Sequence, residues 1–188
     1  MSEIEVHHGH PDASDPLGRK VGVMVGVLGI LLAVVTISSH RAHTAAVVHR
    51  TEANDDWSYY QAKKIRQHTS EVASGLTEAL GSDPARVAAA KGRFDAMAAK
   101  YTKDAEEIKV QAEAKVHHTE QAEHRALAFD LGEGFIELGL VLSSLYFLGR
   151  DKLFPVGGGI AALIGVALGV IGLLGGDAAA RLAGLFID

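Results

Sequence analysis

The sequence contains no cysteine in its 188 residues. Disulfide bonds, thiolate metal sites and a cysteine nucleophile are therefore excluded. Helix breakers are also scarce in the first half of the chain: no proline lies between Pro16 and Pro84, and no glycine lies between Gly29 and Gly75. Because proline and glycine are the residues that most oppose a helix, one helix can run through this region without interruption.

Strongly basic composition is lacking as well. The formal net charge is −5, and acidic and basic residues nearly balance between residues 40 and 130. Without a basic face, no nucleic-acid partner is expected. The sequence shows no Ser-His-Asp arrangement, no phosphate-binding glycine loop and no nucleotide fingerprint, so we predict that the protein is not an enzyme and needs no cofactor.

What the sequence does contain is three apolar blocks. A helix needs about 20 mostly apolar residues to cross a bilayer, and we predict transmembrane helices over residues 19–39, 126–149 and 156–176. A polar tail over residues 1–18 precedes them, a turn covers residues 150–155, and a tail covers residues 177–188. A cleaved signal peptide is the alternative for the first block, but its leader is long and acidic, which favours a retained anchor.

A polar insert over residues 40–125 separates the first two blocks. Its first half carries a coiled-coil-like repeat at steps of four and three: Ile65, Thr69, Val72, Leu76 and Ala79. A turn over residues 81–84 follows, with Asp83 as a helix N-cap and Pro84 as the first helical residue. The second half keeps a helical spacing from Val87 to Val116. The predicted fold is an all-α membrane protein with three transmembrane helices and a long antiparallel coiled-coil-like hairpin inserted between the first and second.

Basic residues near the ends of the spans give the orientation. Arg19 and Lys20 share a side with Arg150 and Lys152 if there are three spans. The other side carries Arg41, Arg50, Arg125 and Arg181, so the two sides nearly balance. The residues immediately at the span ends favour an N-terminus in the cytoplasm and a hairpin on the opposite side.

Two stretches carry a resemblance to a known family. Residues 40–68, HRAHTAAVVHRTEANDDWSYYQAKKIRQH, and residues 129–145, FDLGEGFIELGLVLSSL, resemble the domain of unknown function 4337 family of bacterial membrane proteins. With the layout of spans and hairpin, the resemblance covers nearly the whole chain. It implies a bacterial inner-membrane protein with a long helical insert, and it lends no catalytic residues. The orientation that the basic residues favour places this insert in the periplasm.

An acidic face marks the second apolar block. Asp130, Glu133 and Glu137 are spaced three and four residues apart, which places them on one side of a helix. A charge within the bilayer is costly, so this side must face protein, water or a cation. We favour a structural role in helix packing; the alternative is that Glu133 and Glu137 bind or relay protons or cations in an oligomer.

Histidines cluster at both ends of the insert. In a hairpin that turns near residue 82, His40 lies opposite His124, and His49 lies opposite His117. Imidazoles with nearby carboxylates suit zinc or copper, so a metal or pH sensor is a second alternative function, although solvated polar residues are the favoured interpretation. The candidate ligands are His40, His43, His49, His117, His118 and His124.

An aromatic group in the first arm comprises Trp57, Tyr59 and Tyr60. It suits an anchor for a partner protein, since aromatic side chains dominate interface energetics. The favoured alternative is a bulky packing layer of the hairpin opposite Tyr101, Ala105 and Ile108.

Glycines form stripes on the first and third apolar blocks, where they allow close helix approach. The stripes are Gly22, Gly26 and Gly29, and Gly158, Gly165, Gly169, Gly172 and Gly176. Stripes and buried acids together call for more neighbours than one chain supplies. The sequence therefore predicts a structural or scaffold protein that contacts membrane lipid, self-associates, and presents its hairpin for assembly or to another membrane or periplasmic protein.

Overall fold

A computed structural model describes residues 15–175; the predicted C-terminal tail, most of the N-terminal tail with His7, His8 and His10, and Gly176 lie outside the described residues. The described residues form four helices: α1 (Pro16–Leu80), α2 (Pro84–Ser144), α3 (Tyr146–Gly149) and α4 (Leu153–Leu174). The predicted all-α class is confirmed, since residues 15–175 contain no strand. By length and composition, three stretches, α1, α2 with α3, and α4, are each able to cross a membrane.

Local signals explain where the long helices begin and end. The Asp15 carboxylate accepts a hydrogen bond from the Gly18 backbone N–H at 2.8 Å and caps α1. The predicted cap of α2 is confirmed, because Asp83 Oδ1 accepts from the backbone N–H of Ala85 at 3.0 Å, directly after Pro84. Residues 81–83 are the only non-helical residues between α1 and α2.

A short irregularity separates α2 from α3 at Leu145. The Ser143 hydroxyl donates to the Gly139 carbonyl at 2.6 Å, a bond to the preceding turn that bends helices. Arg150 then ends α3 with a left-handed φ of 53°. The non-helical link to α4 covers only residues 150–152, because the Asp151 carboxylate accepts from the Leu153 backbone N–H at 2.9 Å and starts α4 early.

Contacts divide the chain into two units, one containing described residues 15–42 and 124–175 and the other His43–Glu123. The first unit packs α1, α2 and α4 around an apolar core. Phe129 and Ile136 are its largest fully buried apolar side chains among the described residues. The core members are Leu28, Val35, Ala42, Ala126, Phe129, Ile136 and Ala162.

The second unit pairs the rest of α1 with the first part of α2 through polar contacts. Lys115 Nζ lies 2.7 Å from Asp56, Lys63 Nζ lies 2.7 Å from Asp104, and Ser74 Oγ lies 2.6 Å from Asp95. As residue numbers rise along α1, the numbers of their partners on α2 fall, so the two segments run in opposite directions. Small and apolar side chains fill the contact: Ala53, Ser70, Ser74, Ala105, Ile108 and Ala112 are buried.

The coiled-coil-like repeat predicted on α1 does not form the contact with α2, so this prediction is wrong. Ile65, Val72 and Leu76 are 66%, 52% and 54% exposed, and Thr69 and Ala79 are exposed as well. The opposite side of α1, at Ser70 and Ser74, is buried instead. The reason is that polar bonds such as Ser74 to Asp95 orient α1 with its small side chains inward.

Candidate functional site

The acidic face of α2 lies in the first unit, and two of its three carboxylates are bonded to α1. Thr36 Oγ1 donates to Glu133 Oε1 at 2.7 Å, and Ser39 Oγ donates to Asp130 Oδ1. The hydroxyls are three residues apart on α1, as are the carboxylates on α2, so the two pairs meet in register. The sequence reasoning missed both donors, although two hydroxyl residues three apart at the end of an apolar span were a visible signal.

The third carboxylate, Glu137, is placed differently. Its side chain is exposed, and among residues 15–175 no hydrogen bond or ion pair to it is present. The neighbouring Leu138 and Val141 are also exposed, at 48% and 53%. A methyl group added at Gly134 meets no atom within 4 Å. Glu137 therefore belongs to an open apolar face with room for a neighbouring helix.

The glycine stripe of α4 lies against glycines of α2. A methyl group added at Gly165 would lie 2.6 Å from the Gly132 carbonyl oxygen, and one added at Gly139 would lie 2.7 Å from the Gly158 carbonyl oxygen. Backbones approach so closely only where no side chain intervenes. The sequence reasoning missed Gly139, whose seven-residue separation from Gly132 matches that of Gly158 and Gly165.

The remaining predicted glycines divide into two groups. Gly169 and Gly172 are buried, and methyl groups there would lie 3.2 Å from Val35 Cγ2 and 2.9 Å from Phe129 Cδ1. On α1, a methyl group added at Gly26 or Gly29 would meet no atom within 4 Å, and one added at Gly22 would lie 4.0 Å from Phe147 Cζ. The stripe of α1 is thus not an interface within the described part of the chain.

At the other end of the first unit, Asp15 precedes α1 and contacts residues at the end of α3. Its carboxylate accepts from the Tyr146 hydroxyl at 3.1 Å and from Arg150 Nη1 at 2.8 Å. The pKa of Asp15 is lowered, first by the backbone hydrogen bond from Gly18 and then by Tyr146 and Arg150. This arrangement joins the start of α1 to the end of α3.

The histidines do not form a metal centre in the described residues. In the second unit the ring of His49 lies 5.8 Å from that of His118, which lies 6.3 Å from that of His117. The predicted pairing of His49 with His117 is wrong by one residue, because the ring that contacts His49 across the two helices is that of His118. Between residues 15 and 175, no group of three or more His, Asp or Glu side chains is arranged to hold a metal ion. His43 also belongs to the second unit, and His40 and His124 belong to the first.

One member of the aromatic group, Tyr59, lies close to Lys63, as does Tyr101 of α2. Lys63 Nζ lies 5.1 Å from the centre of the Tyr59 ring and 5.6 Å from that of Tyr101. Its hydrogen bond to Asp104 raises the pKa of Lys63 and lowers the pKa of Asp104. Trp57 meets Tyr60 edge-on, with ring centres 5.5 Å apart, and Tyr59 is 54% exposed. The arrangement serves packing within the unit and leaves part of Tyr59 accessible.

Comparison with known proteins gives one result. A family model described as a domain of unknown function, DUF4337, matches residues 17–175. The search of curated proteins and the search of solved structures give no match. The matched range includes every helix that the structure describes except the first residue of α1.

Proposed function

Because this chain belongs to the DUF4337 family, whose description assigns no activity, we propose its function from its own contacts. The protein is a non-catalytic scaffold of the bacterial inner membrane that self-associates within the bilayer. The paired segments of the second unit form a helical hairpin outside the bilayer and present a surface for assembly or for a partner. The single observation that carries this proposal is the open position of Glu137.

Three apolar helices support the membrane assignment. Each contains a stretch long and apolar enough to cross a bilayer. Close glycine contacts between α2 and α4 are the kind of packing that holds helices together in lipid, where the hydrophobic effect between helices is absent. Basic residues at 19, 20, 150 and 152 favour a cytoplasmic N-terminus and a periplasmic hairpin.

Glu137 supports self-association. It lies at the midpoint of the predicted span 126–149, where a charged carboxylate costs roughly 2.5–3.5 kcal/mol on insertion scales. The exposed neighbours Leu138 and Val141 face lipid in a single copy. A second copy packed over Gly134 would give the Glu137 carboxyl a polar partner and remove it from lipid. Association between copies therefore offsets the free-energy cost of placing the Glu137 carboxylate in the bilayer.

Asp130 and Glu133 support a structural role for the rest of the acidic face. Both accept hydrogen bonds from hydroxyls of α1, which is how polar groups fasten helices together in a bilayer. The ion- or proton-handling alternative rests on Glu137 alone if these two carboxylates are engaged in packing.

Substitutions at Glu137 in the full chain, reconstituted in lipid discs, test the proposal. Glu137→Gln keeps the hydrogen-bonding group, so we expect unchanged association, whereas Glu137→Leu should weaken it by about tenfold, the equivalent of one interhelical hydrogen bond of 1–2 kcal/mol. Leu163→Ala is the control, because Leu163 lies on α4, is 71% exposed and is outside this face of α2. A Glu137→Leu variant that associates like the wild type would contradict the proposal.

Proton flux measured on the same variants in vesicles separates the alternative. The scaffold proposal expects no flux above that of empty vesicles from any variant. Flux in the wild type that Glu137→Gln abolishes, with association unchanged, would instead establish the proton-handling function.

A further inference from the structure

The exposed face of α1 in the second unit carries an apolar repeat that lies away from α2. Its members recur at steps of four and three, a 3.5-residue repeat typical of a helix that supercoils against another helix. Ile65, the most exposed of the large members, is 66% exposed. We name this surface the distal seam, and its members are Ile65, Thr69, Val72, Leu76 and Ala79.

A shallow groove on the distal seam has the layout of a coiled-coil hole. Ile65, His68, Thr69 and Val72 line it. These residues occupy positions i, i+3, i+4 and i+7, so they are the four side chains that surround a knob from a facing helix. The Thr69 hydroxyl donates to the Ile65 carbonyl within α1 at 2.8 Å, so it needs no polar partner from a second helix.

One rim of the groove is already ordered by side-chain hydrogen bonds. Lys64 Nζ donates to Gln67 Oε1 at 2.8 Å, and Gln67 Nε2 donates to Glu71 Oε1 at 2.8 Å. Ordering these long side chains before association lowers the conformational entropy that binding must overcome. The groove is therefore prepared for an apolar occupant.

Flanking residues favour a second copy in a parallel arrangement. In an in-register parallel pair, the repeat places Arg66 of one copy opposite Gln61 of the other, and His68 opposite Ala73. No like charges meet at these positions, and the Arg66 guanidinium faces an amide oxygen that accepts hydrogen bonds. Extended toward the N-terminus, the repeat reaches Asp55, which would lie opposite Asp55 of the second copy. Because these two carboxylates would repel each other, the apolar contact begins after this residue.

We propose that the distal seam binds the distal seam of a second copy, parallel and in register. This inference rests on the proposed function, because two copies held in one bilayer with the same orientation have parallel α1 helices. It deepens that function by naming the surface through which the second unit takes part in assembly.

The absence of cysteine allows a direct test in the full chain, reconstituted in lipid vesicles. Thr69→Cys should form a disulfide-linked dimer on mild oxidation, since equivalent seam residues face each other across the pair. Val110→Cys on α2 is the control, because Val110 is 65% exposed but lies off the seam. A yield for Thr69→Cys no higher than for Val110→Cys would overturn the inference.

A second pair of variants tests the seam without relying on oxidation geometry alone. Val72→Asp should lower the cross-linking of Thr69→Cys by about tenfold or more, because two facing carboxylates repel. Val110→Asp, at a valine that is 65% exposed against 52% for Val72, should leave the yield unchanged, and helical content checks that both variants fold. Equal yields from both would overturn the inference.

The copy number measured on the same samples separates the two proposals. Multiple copies without seam cross-linking would overturn the distal seam alone and leave the association through Glu137 intact. A single copy throughout would overturn both.

Discussion

Thr36 donates its hydroxyl hydrogen to Glu133 at 2.7 Å, from one apolar helix to another. Replacing Thr36 with Val keeps the shape of the side chain and removes the donor. We expect Thr36→Val to lower the free energy of unfolding by about 1 kcal/mol, the usual worth of an interhelical hydrogen bond in a bilayer. Unfolding of the full chain in mixed detergent, followed by circular dichroism, measures the change.

Ser38→Ala is the control for this prediction. The Ser38 hydroxyl donates to the Val34 carbonyl of its own helix, so its loss removes no contact between helices. A Thr36→Val variant no less stable than Ser38→Ala would show that the hydroxyl–carboxylate bond contributes nothing.

Close packing of α2 on α4 makes a second prediction. A methyl group added at Gly139 would lie 2.7 Å from the Gly158 carbonyl oxygen and 2.9 Å from Ala162 Cβ, so the helices must separate. Gly139→Ala should therefore destabilise the chain by roughly 1–3 kcal/mol, the usual cost of overpacking. The same detergent titration measures it.

Gly159→Ala is the matched change on α4. Nothing lies within 4 Å of a methyl group there, and alanine favours a helix over glycine, so stability should stay level or rise slightly. If Gly139→Ala behaved like Gly159→Ala, the glycine contact would not be a close-packed one.

The ion pair of Lys63 and Asp104 makes the second unit sensitive to pH. Its hydrogen bond lowers the pKa of Asp104 below the ordinary 3.8 and raises the pKa of Lys63 above the ordinary 10.5. The Asp104 contribution is therefore complete above pH 3.8 and is lost as the pH falls through the lower folded value. The Lys63 contribution is complete below pH 10.5 and is lost as the pH rises through the higher folded value.

Asp104→Asn tests this window through the hydrogen exchange of amides in residues 43–123. The wild type should be better protected than the variant between these limits, and the difference should shrink under more acidic conditions. Glu107→Gln is the control, since Glu107 lies 3.9 Å from Lys103 in an exposed pair. A difference that does not change with pH would contradict a role for the ion pair.

The sequence predicted the parts of the fold that depend on local signals. Long helices without proline or glycine, and the Asp83 cap before Pro84, follow from neighbouring residues alone. The repeat at Ile65 and Val72 correctly indicates an apolar face of a helix. It carries no information on which neighbour covers that face, and the polar bond of Ser74 to Asp95 turned it away from α2.

For the candidate site as well, the sequence predicted the local pattern but not the partners on the neighbouring helix. The spacing of Asp130, Glu133 and Glu137 indicates one acidic face, but the donors Thr36 and Ser39 lie more than ninety residues away in sequence. Only the register of the packed helices brings them together. The predicted partner of His49, His117, differs by one residue from the observed partner, His118, for the same reason: no local pattern specifies how two long helices align.

The copy number of the full chain in lipid discs, measured by native mass spectrometry, tests the central claim most directly. An assembly of two or more copies in the wild type, reduced toward single copies by Glu137→Leu and unaffected by Leu163→Ala, is the predicted result. A wild-type chain that remains a single copy at every protein-to-lipid ratio would contradict the account.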